Sequence, residues 1–386
     1  MSLAIAPNPA VSARNKAAPR FYAPELDALR FFAFFGVFLF HAAPRTMDFY
    51  AAAGSPQWLS KLLIAIFGAG AYGVDLFFAL SAYLITSLLL REKENTGRVD
   101  VRGFYLRRIL RIWPLYLSFV AFAAVMARFL PGQNLPGRYI VGYSLLAGNW
   151  IYVFYGLPAS FAILLWTVSI EEQFYLAWPL ALRRASRRAI TIMAIGILLL
   201  ANLWRVWLAL TAAPIERMEY NTFTRLDPIA LGILIALYGD RLPRLVRWQR
   251  AALLSAGVVT WVATYAFCVS SDPPRLSTGA MALGHSLTAL ASAAILLAVL
   301  GSSYGFLRNK TLLYLGKISY GLYVLHEFAH FCAQRLLPAA TPLRVMVQSG
   351  FAFVLTLALA AASYRWLESP FLRLKERFAH VQSRPV

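Results

Sequence analysis

WTVSIEEQFYLAWPLAL, Trp166 to Leu182, sets two adjacent carboxylates, Glu171 and Glu172, inside a run that otherwise has the length and apolarity of a membrane-crossing helix. An ionised side chain at mid-bilayer costs about 2.5–3.5 kcal/mol on insertion scales, so each one requires a partner, a wet cavity or a chemical task. Adjacent residues on a helix point about 100° apart, and the two glutamates cannot line one groove equally. Ser169 and Tyr175 lie three residues either side of Glu172. A face reading Ser169, Glu172, Tyr175 is polar enough to line a cavity, and one glutamate can face the bundle centre while the other bonds a neighbouring helix; which of the two does so stays open. The competing reading pairs the two carboxylates with buried arginines such as Arg205 or Arg225.

The rest of the chain supports a membrane setting for this stretch. Of 386 residues, 60% are hydrophobic and 14% charged, far from a soluble domain. Ten apolar runs recur, centred on 26–43, 72–90, 112–130, 161–182, 189–211, 225–239, 251–268, 280–300, 311–337 and 343–366, with 57–70 an ambiguous eleventh. Most are long enough to cross a hydrocarbon core of roughly 30 Å. The expected fold is an all-α, polytopic transmembrane bundle: a tail over 1–22, a membrane domain over 23–368 and a second tail over 369–386. The loop 131–160, with Pro131, Gly132, Pro136, Gly137 and Gly156, is the largest candidate lid.

The net charge of +20 could suggest nucleic acid, but the positions of the basic residues argue for topology instead. Three precede the first run (Arg14, Lys16, Arg20), seven follow the second, four follow each of the fourth and sixth, three follow the eighth and five the tenth. Under the positive-inside rule this alternation places both tails in the cytoplasm. A minor part of the excess can serve anionic lipid or an anionic ligand. The first apolar run is not expected to be a cleaved signal peptide. Cys268 and Cys332 both sit in apolar runs, so neither a disulfide framework nor a metal cluster is implied.

Other ionisable groups sharpen the picture. Arg30 and His41 share the first run, eleven residues apart, which puts them about 20° from one face and about 16 Å apart on a helix. Asp75 opens the second run, with Ser81 and Tyr83 deeper in it. In FYLRRILRIWPLYL, Arg107, Arg108 and Arg111 cluster, and Arg107 with Arg111 has the i,i+4 spacing of a phosphate clamp. Positive-inside anchoring predicts the same residues. HEFAH, His326 to His330, fits the zinc motif H-E-x-x-H, although no third ligand is evident and Asp227 is the only carboxylate offered for it.

Taken together, these motifs resemble one family, the acyltransferase-3 integral membrane O-acyltransferases of bacteria. The resemblance runs the length of the chain. It rests on Arg30 and His41 at R-x10-H spacing, GVDLFFALSAYLI, RRILRIWPLY, WTVSIEEQFYLAWPL, FTRLDPIALG, LGKISYGLYVLH and YRWLESPF. Ala82 stands where Gly is usual, and Pro228 where Ala is common. The periplasmic SGNH-type esterase domain fused to some members is not expected here.

The resemblance implies transfer of an acyl group, most often acetyl from acetyl-CoA, to a hydroxyl of a surface or secreted glycan at the cytoplasmic (inner) membrane. It gives His41 as general base, oriented by one of the glutamates, Glu172 ahead of Glu171, with the other holding the helix and Arg30 meeting the thioester carbonyl or the CoA arm. It gives Arg107, Arg108 and Arg111 as CoA-phosphate ligands. Asp75, Ser81, Tyr83, Ser169, Tyr175, Arg225, Asp227, Tyr323 and His326 complete the binding set. His326 is reassigned from zinc to the late Y-x-L-Y-x-x-H motif, so that Glu327 and His330 become incidental and no metal is expected. The partners implied are acyl-CoA as co-substrate, a carbohydrate or lipid-linked glycan acceptor and membrane lipids, with a homo-oligomer admitted and no permanently bound cofactor. Two other classes stand beside this one: a transporter for an anionic or glycan substrate, and an intramembrane zinc metalloprotease using HEFAH.

Overall fold

A computed structural model of the protein describes residues 22–268, 278–338 and 341–378. Among them every named element is helical. The helices are α1 (Pro24–Ala42), α2 (Met47–Ala52), α3 (Gln57–Ala69), α4 (Gly73–Thr96), α5 (Val101–Phe129), α6 (Gly137–Ser144), α7 (Gly148–Tyr155), α8 (Leu165–Leu182) and α9 (Arg187–Leu210). They continue as α10 (Ile215–Glu219), α11 (Asp227–Tyr238), α12 (Arg247–Cys268), α13 (Thr278–Val299), α14 (Lys310–Lys317), α15 (Ser319–Leu336), α16 (Pro342–Ser363) and α17 (Ser369–Glu376).

Local chemistry sets many of the boundaries. Pro24 begins α1, where a missing N–H costs nothing. Asp100 caps α5 by accepting from the Gly103 amide at 2.9 Å, and Gly97 closes α4 in the left-handed conformation. Ser186, Asn309 and Thr341 cap α9, α14 and α16 in the same way as Asp100.

Six helical segments among the described residues are long and apolar enough to cross a membrane. They are Gln57–Thr96, Val101–Phe129, Arg187–Leu210, Arg247–Cys268, Gly279–Val299 and Pro342–Glu376. The remaining expected runs fall short for identifiable reasons. α1 carries Glu25, Asp27 and Arg30, and α8 is diluted by Glu171, Glu172 and Gln173. α11 has 12 residues, and the run expected over 311–337 breaks at Ile318 into α14 and α15. Polar residues are costly in lipid, so the helices that fail on apolarity are those whose polar groups must face protein.

α1 occupies the centre. It packs against α4, α14, α15 and the 3₁₀ turn Gly70–Tyr72 that links α3 to α4. Two glycines permit that closeness: a Cβ on Gly70 would strike the Gly36 carbonyl, and one on Gly316 would strike that of Asp27.

Three expectations change here. The 131–160 segment is not a loose lid: it holds α6 and α7, whose Tyr143 and Tyr152 are fully buried and bond each other through their hydroxyls. These helices have eight residues each, too short to register as apolar runs. The ambiguous 57–70 segment is α3, continuous with the candidate span ending at Thr96. Of the second tail, residues 369–376 form α17, which packs on α5, while 379–386 lie outside the described residues. The first tail, Tyr22 excepted, lies outside them too, with Arg14, Lys16 and Arg20.

Candidate active site

Three cavities follow α1 through the bundle. The first, at its N-terminal end, is lined by Tyr22, Asp27, Arg30, Ser81, Arg108 and Arg111. The second shares Arg30, Ser81, Arg108 and Arg111 and adds Thr167, Glu171, Tyr175, Tyr320 and Tyr323. The third, about 320 Å³, reaches the other end of α1 and shares Val74 and Tyr323 with the second. Its walls include His41, Arg45, Tyr72, Trp166, Glu219, Arg225 and His285.

The arginine end departs from the expected clamp. Arg107 does not line the cavities; it pairs with Glu92 at 2.9 Å and donates to the Phe378 carbonyl at 2.6 Å. Arg108 and Arg111, spaced i,i+3, present one helical face instead. Neither forms an ion pair among the described residues. The Arg108 guanidinium lies 5.4 Å from the ring centroids of both Phe104 and Tyr175, and its Nε has no hydrogen-bond partner. Arg30, from α1, donates to Asp27 at 3.1 Å.

The glutamate pair, left open by the sequence, divides between cavity and framework. Glu171 faces the cavity and accepts from the Tyr175 hydroxyl, which also bonds Ser81. Glu172 is buried and accepts from Trp113 Nε1 of α5 at 3.0 Å. Residues 171 and 175 share a face at i,i+4, so Tyr175 joins Glu171 on the cavity side. No ion pair joins Glu172 to His41 among the described residues. Ser169 is fully buried and bonds the Gly148 amide and the Leu165 carbonyl, away from all three cavities.

His41 instead meets Glu327. Its Nδ1 lies 2.8 Å from Glu327 Oε1, and its ring stands 5.4 Å from that of His326. His326 is completely buried, its Nδ1 held at 2.7 Å by the Tyr323 carbonyl. Ligand-capable atoms of His41, His326 and Glu327 all lie within 4.8 Å of one another, so a metal-compatible trio does exist. It is not the helical pair of the HEFAH motif, because His330 is outside it. Glu327, set aside as incidental, is the nearest carboxylate to the expected base.

The remaining residues split between cavity wall and framework. Arg225 lines the large cavity and is fixed by Asp75 at 2.8 Å, a carboxylate that also accepts from Thr288 at 2.9 Å. Asp75, in the first turn of α4, is thus buried at that helix end and anchors Arg225. Asp227 is turned away, paired at 2.8 Å with the buried Arg205, which also bonds the Thr224 carbonyl, Asn202 and Ser286. These two pairs leave neither arginine for Glu171 or Glu172. Tyr83 packs in the core between α4 and its neighbours and lines none of the three cavities. Tyr323 joins the cavities and bonds Thr167 at 2.9 Å.

The arrangement thus sets unpaired cations toward one end of α1 and an imidazole–carboxylate contact at the other, beside cavities that share wall residues. A family model described as an acyltransferase domain, acyltransferase 3, matches residues 24–365, which contain all of these groups. The chain belongs to the acyltransferase-3 family. This acyltransferase-3 chain is 28% identical over 378 residues to the peptidoglycan O-acetyltransferase OatA of Listeria monocytogenes, covering 91% of the chain and 56% of that protein. It is 29% identical over 371 residues to the O-acetyltransferase OatA of Staphylococcus aureus, covering 90% and 57%. The chain thus spans a little over half the length of these relatives. No solved structure matches it.

Sequence reasoning missed Glu219, His285, Trp113 and Trp166 as well as Glu327. Glu327 had a signal in HEFAH. Glu219 had one too, as a carboxylate beside an apolar run.

Proposed function

We propose that this protein is a multi-pass membrane O-acyltransferase that moves an acyl group, acetyl from acetyl-CoA, to a hydroxyl of a cell-surface or secreted glycan. The observation that carries the reading is the alignment of the cavities along α1: Arg108 and Arg111 line two of them, and Tyr323 and Val74 are walls common to the second and the cavity holding His41. A fork of guanidinium groups without carboxylate partners suits the phosphates of CoA. The helical rise from Arg30 to His41, about 16 Å, is comparable to an extended pantetheine arm.

In the proposed reaction His41 accepts the proton of the acceptor hydroxyl through the ring nitrogen not held by Glu327. The acceptor oxygen attacks the thioester carbonyl, the carbon–sulfur bond breaks, and the CoA thiolate recovers the proton from the imidazolium. Glu327 stabilises that imidazolium by its charge. Arg30, Glu171 and Tyr175 set the position of the thioester between the two ends. We place the protein in the bacterial cytoplasmic membrane with ten crossings and both termini in the cytoplasm. α1, α8, α11 and the α14–α15 pair are the crossings shielded from lipid by their neighbours.

The test is turnover of purified His41→Ala, shown to be folded, with acetyl-CoA and a glycan acceptor. Wild-type consumption of the thioester ends the proposal. Mass analysis of surface glycans from cells with and without the gene identifies the acceptor by the loss of one acyl unit.

A further inference from the structure

The side chains around His41 carry more than a base and its carboxylate. His326 is 0% exposed, and its Nδ1 sits 2.7 Å from the Tyr323 carbonyl oxygen. That contact makes Nδ1 the N–H donor and leaves Nε2 with a bare lone pair. Nε2 has no hydrogen-bond partner in its buried setting and is aimed at Glu327, 3.9 Å from Oε1. Glu327 Oε1 also faces His41 Nδ1, 2.8 Å away. Here three atoms that can each ligate a cation converge, and His326 Nε2 brings a lone pair without a hydrogen-bond donor.

That is the pattern of a metal site. Bonds of about 2.0–2.1 Å in tetrahedral geometry put ligand atoms roughly 3.3 Å apart. The two separations to Glu327 Oε1, 2.8 and 3.9 Å, bracket that value, and all three groups lie within 4.8 Å, a spread that small side-chain shifts close around an ion. Metal-ligating histidines almost always donate their second ring N–H to a carbonyl or carboxylate, as His326 does to Tyr323. Of the three residues, His41 also lines the large cavity.

We propose that His41 Nδ1, His326 Nε2 and Glu327 Oε1 form a binding site for one divalent ion of the zinc class. Two imidazoles and a carboxylate select zinc or cobalt over magnesium and calcium, which take oxygen ligands. The site uses two residues of HEFAH but not its last histidine, and its third ligand comes from α1. Binding is independent of the proposed chemistry; its effect on transfer rests on that reading. A ring metallated at Nδ1 carries its proton on the other nitrogen and can no longer accept one from a hydroxyl, so the ion inhibits reversibly.

The experiment uses the full chain in detergent, stripped with a chelator and titrated with Co²⁺ in the absence of acyl-CoA. We expect one ion per chain, visible absorption bands of tetrahedral cobalt, and their loss on adding Zn²⁺. His326→Ala and the isosteric Glu327→Gln should each weaken binding on the order of 100-fold or more, since loss of even an outer partner at a metal site costs 10–100-fold. His330→Ala should bind as the wild type does. Absent bands, bands that persist in both His326→Ala and Glu327→Gln, or bands lost in His330→Ala would overturn the assignment. The last outcome moves the ion to the helical pair of the motif. Failure of metal binding leaves acyl transfer by the wild type intact, whereas failure of the proposed function removes transfer but not the cobalt spectrum.

Discussion

Glu171 and Glu172 are neighbours in the chain with different partners: Glu171 bonds Tyr175 beside the arginine-lined cavity, and Glu172 accepts from Trp113 Nε1 at 3.0 Å across to α5. On the proposed function, the division separates a carboxylate that acts at the cavity from one that holds the framework. Glu171→Gln should lower acyl transfer about tenfold or more, the worth of one charge-assisted hydrogen bond, with little change in melting temperature. Glu172→Ala leaves the Trp113 N–H buried without an acceptor and should destabilise the fold by about 1–3 kcal/mol. Turnover and thermal unfolding measured on both variants decide it. A larger stability loss for Glu171→Gln than for Glu172→Ala contradicts the division.

Arg108 and Arg111 are expected to behave differently from Arg107. Losing one charged contact to phosphate is worth about 1.5–3 kcal/mol, so Arg111→Ala and Arg108→Ala should each raise the Kd for acyl-CoA roughly 10–100-fold. Arg107→Ala should leave that Kd unchanged and lower stability, because it strands the buried Glu92 carboxylate and frees the Phe378 carbonyl. Titration of the three variants with a non-hydrolysable acyl-CoA analogue separates the roles. Weakened binding in Arg107→Ala alone would reverse them.

The contrast among these arginines explains which features the sequence carried. Apolar length marked nearly every long helix, because crossing a bilayer demands it locally. The break at Ile318 escaped notice since both halves remain apolar, and α6 and α7 escaped because eight residues make no long run. Which residue of Arg107, Arg108 and Arg111 faces inward depends on how α5 is rotated against α4, where Glu92 claims Arg107. The His41–Glu327 contact depends on α1 packing against α15, a relation no local spacing encodes. Family motifs drew attention to His326 and away from the residue that follows it.

Glu327→Gln tests that contact as chemistry. The variant keeps size and packing but removes the charge that stabilises a protonated His41. In the absence of metal, kcat should fall by about 10²-fold, within the range of general acid–base contributions, while the KM for acyl-CoA stays near the wild-type value. Glu327→Asp, which keeps the charge, should recover part of the rate. A merely structural role predicts a stability loss with kcat intact. A rise in KM at constant kcat would place Glu327 in binding instead.

Glu219 offers a prediction in pH. It lies outside the candidate spans, with its carboxylate 3.3 Å from His285 Nε2 and 3.8 Å from Arg225. Burial alone would raise its pKa; the Arg225 guanidinium and then His285 outweigh burial and hold it at about 2. An unfolded glutamate titrates near 4.3, so the folded state binds the proton less readily than the unfolded one. The stability this group contributes is therefore fully present above about pH 4.3 and is lost as pH falls toward about 2. Glu219→Gln lacks the contribution at every pH. The difference in melting temperature between wild type and Glu219→Gln should hold constant between about pH 7 and 5 and shrink below about 4.3. Shrinkage already complete at pH 5, measured in one detergent at fixed ionic strength, would show that Arg225 and His285 do not hold the carboxylate as the structure places them.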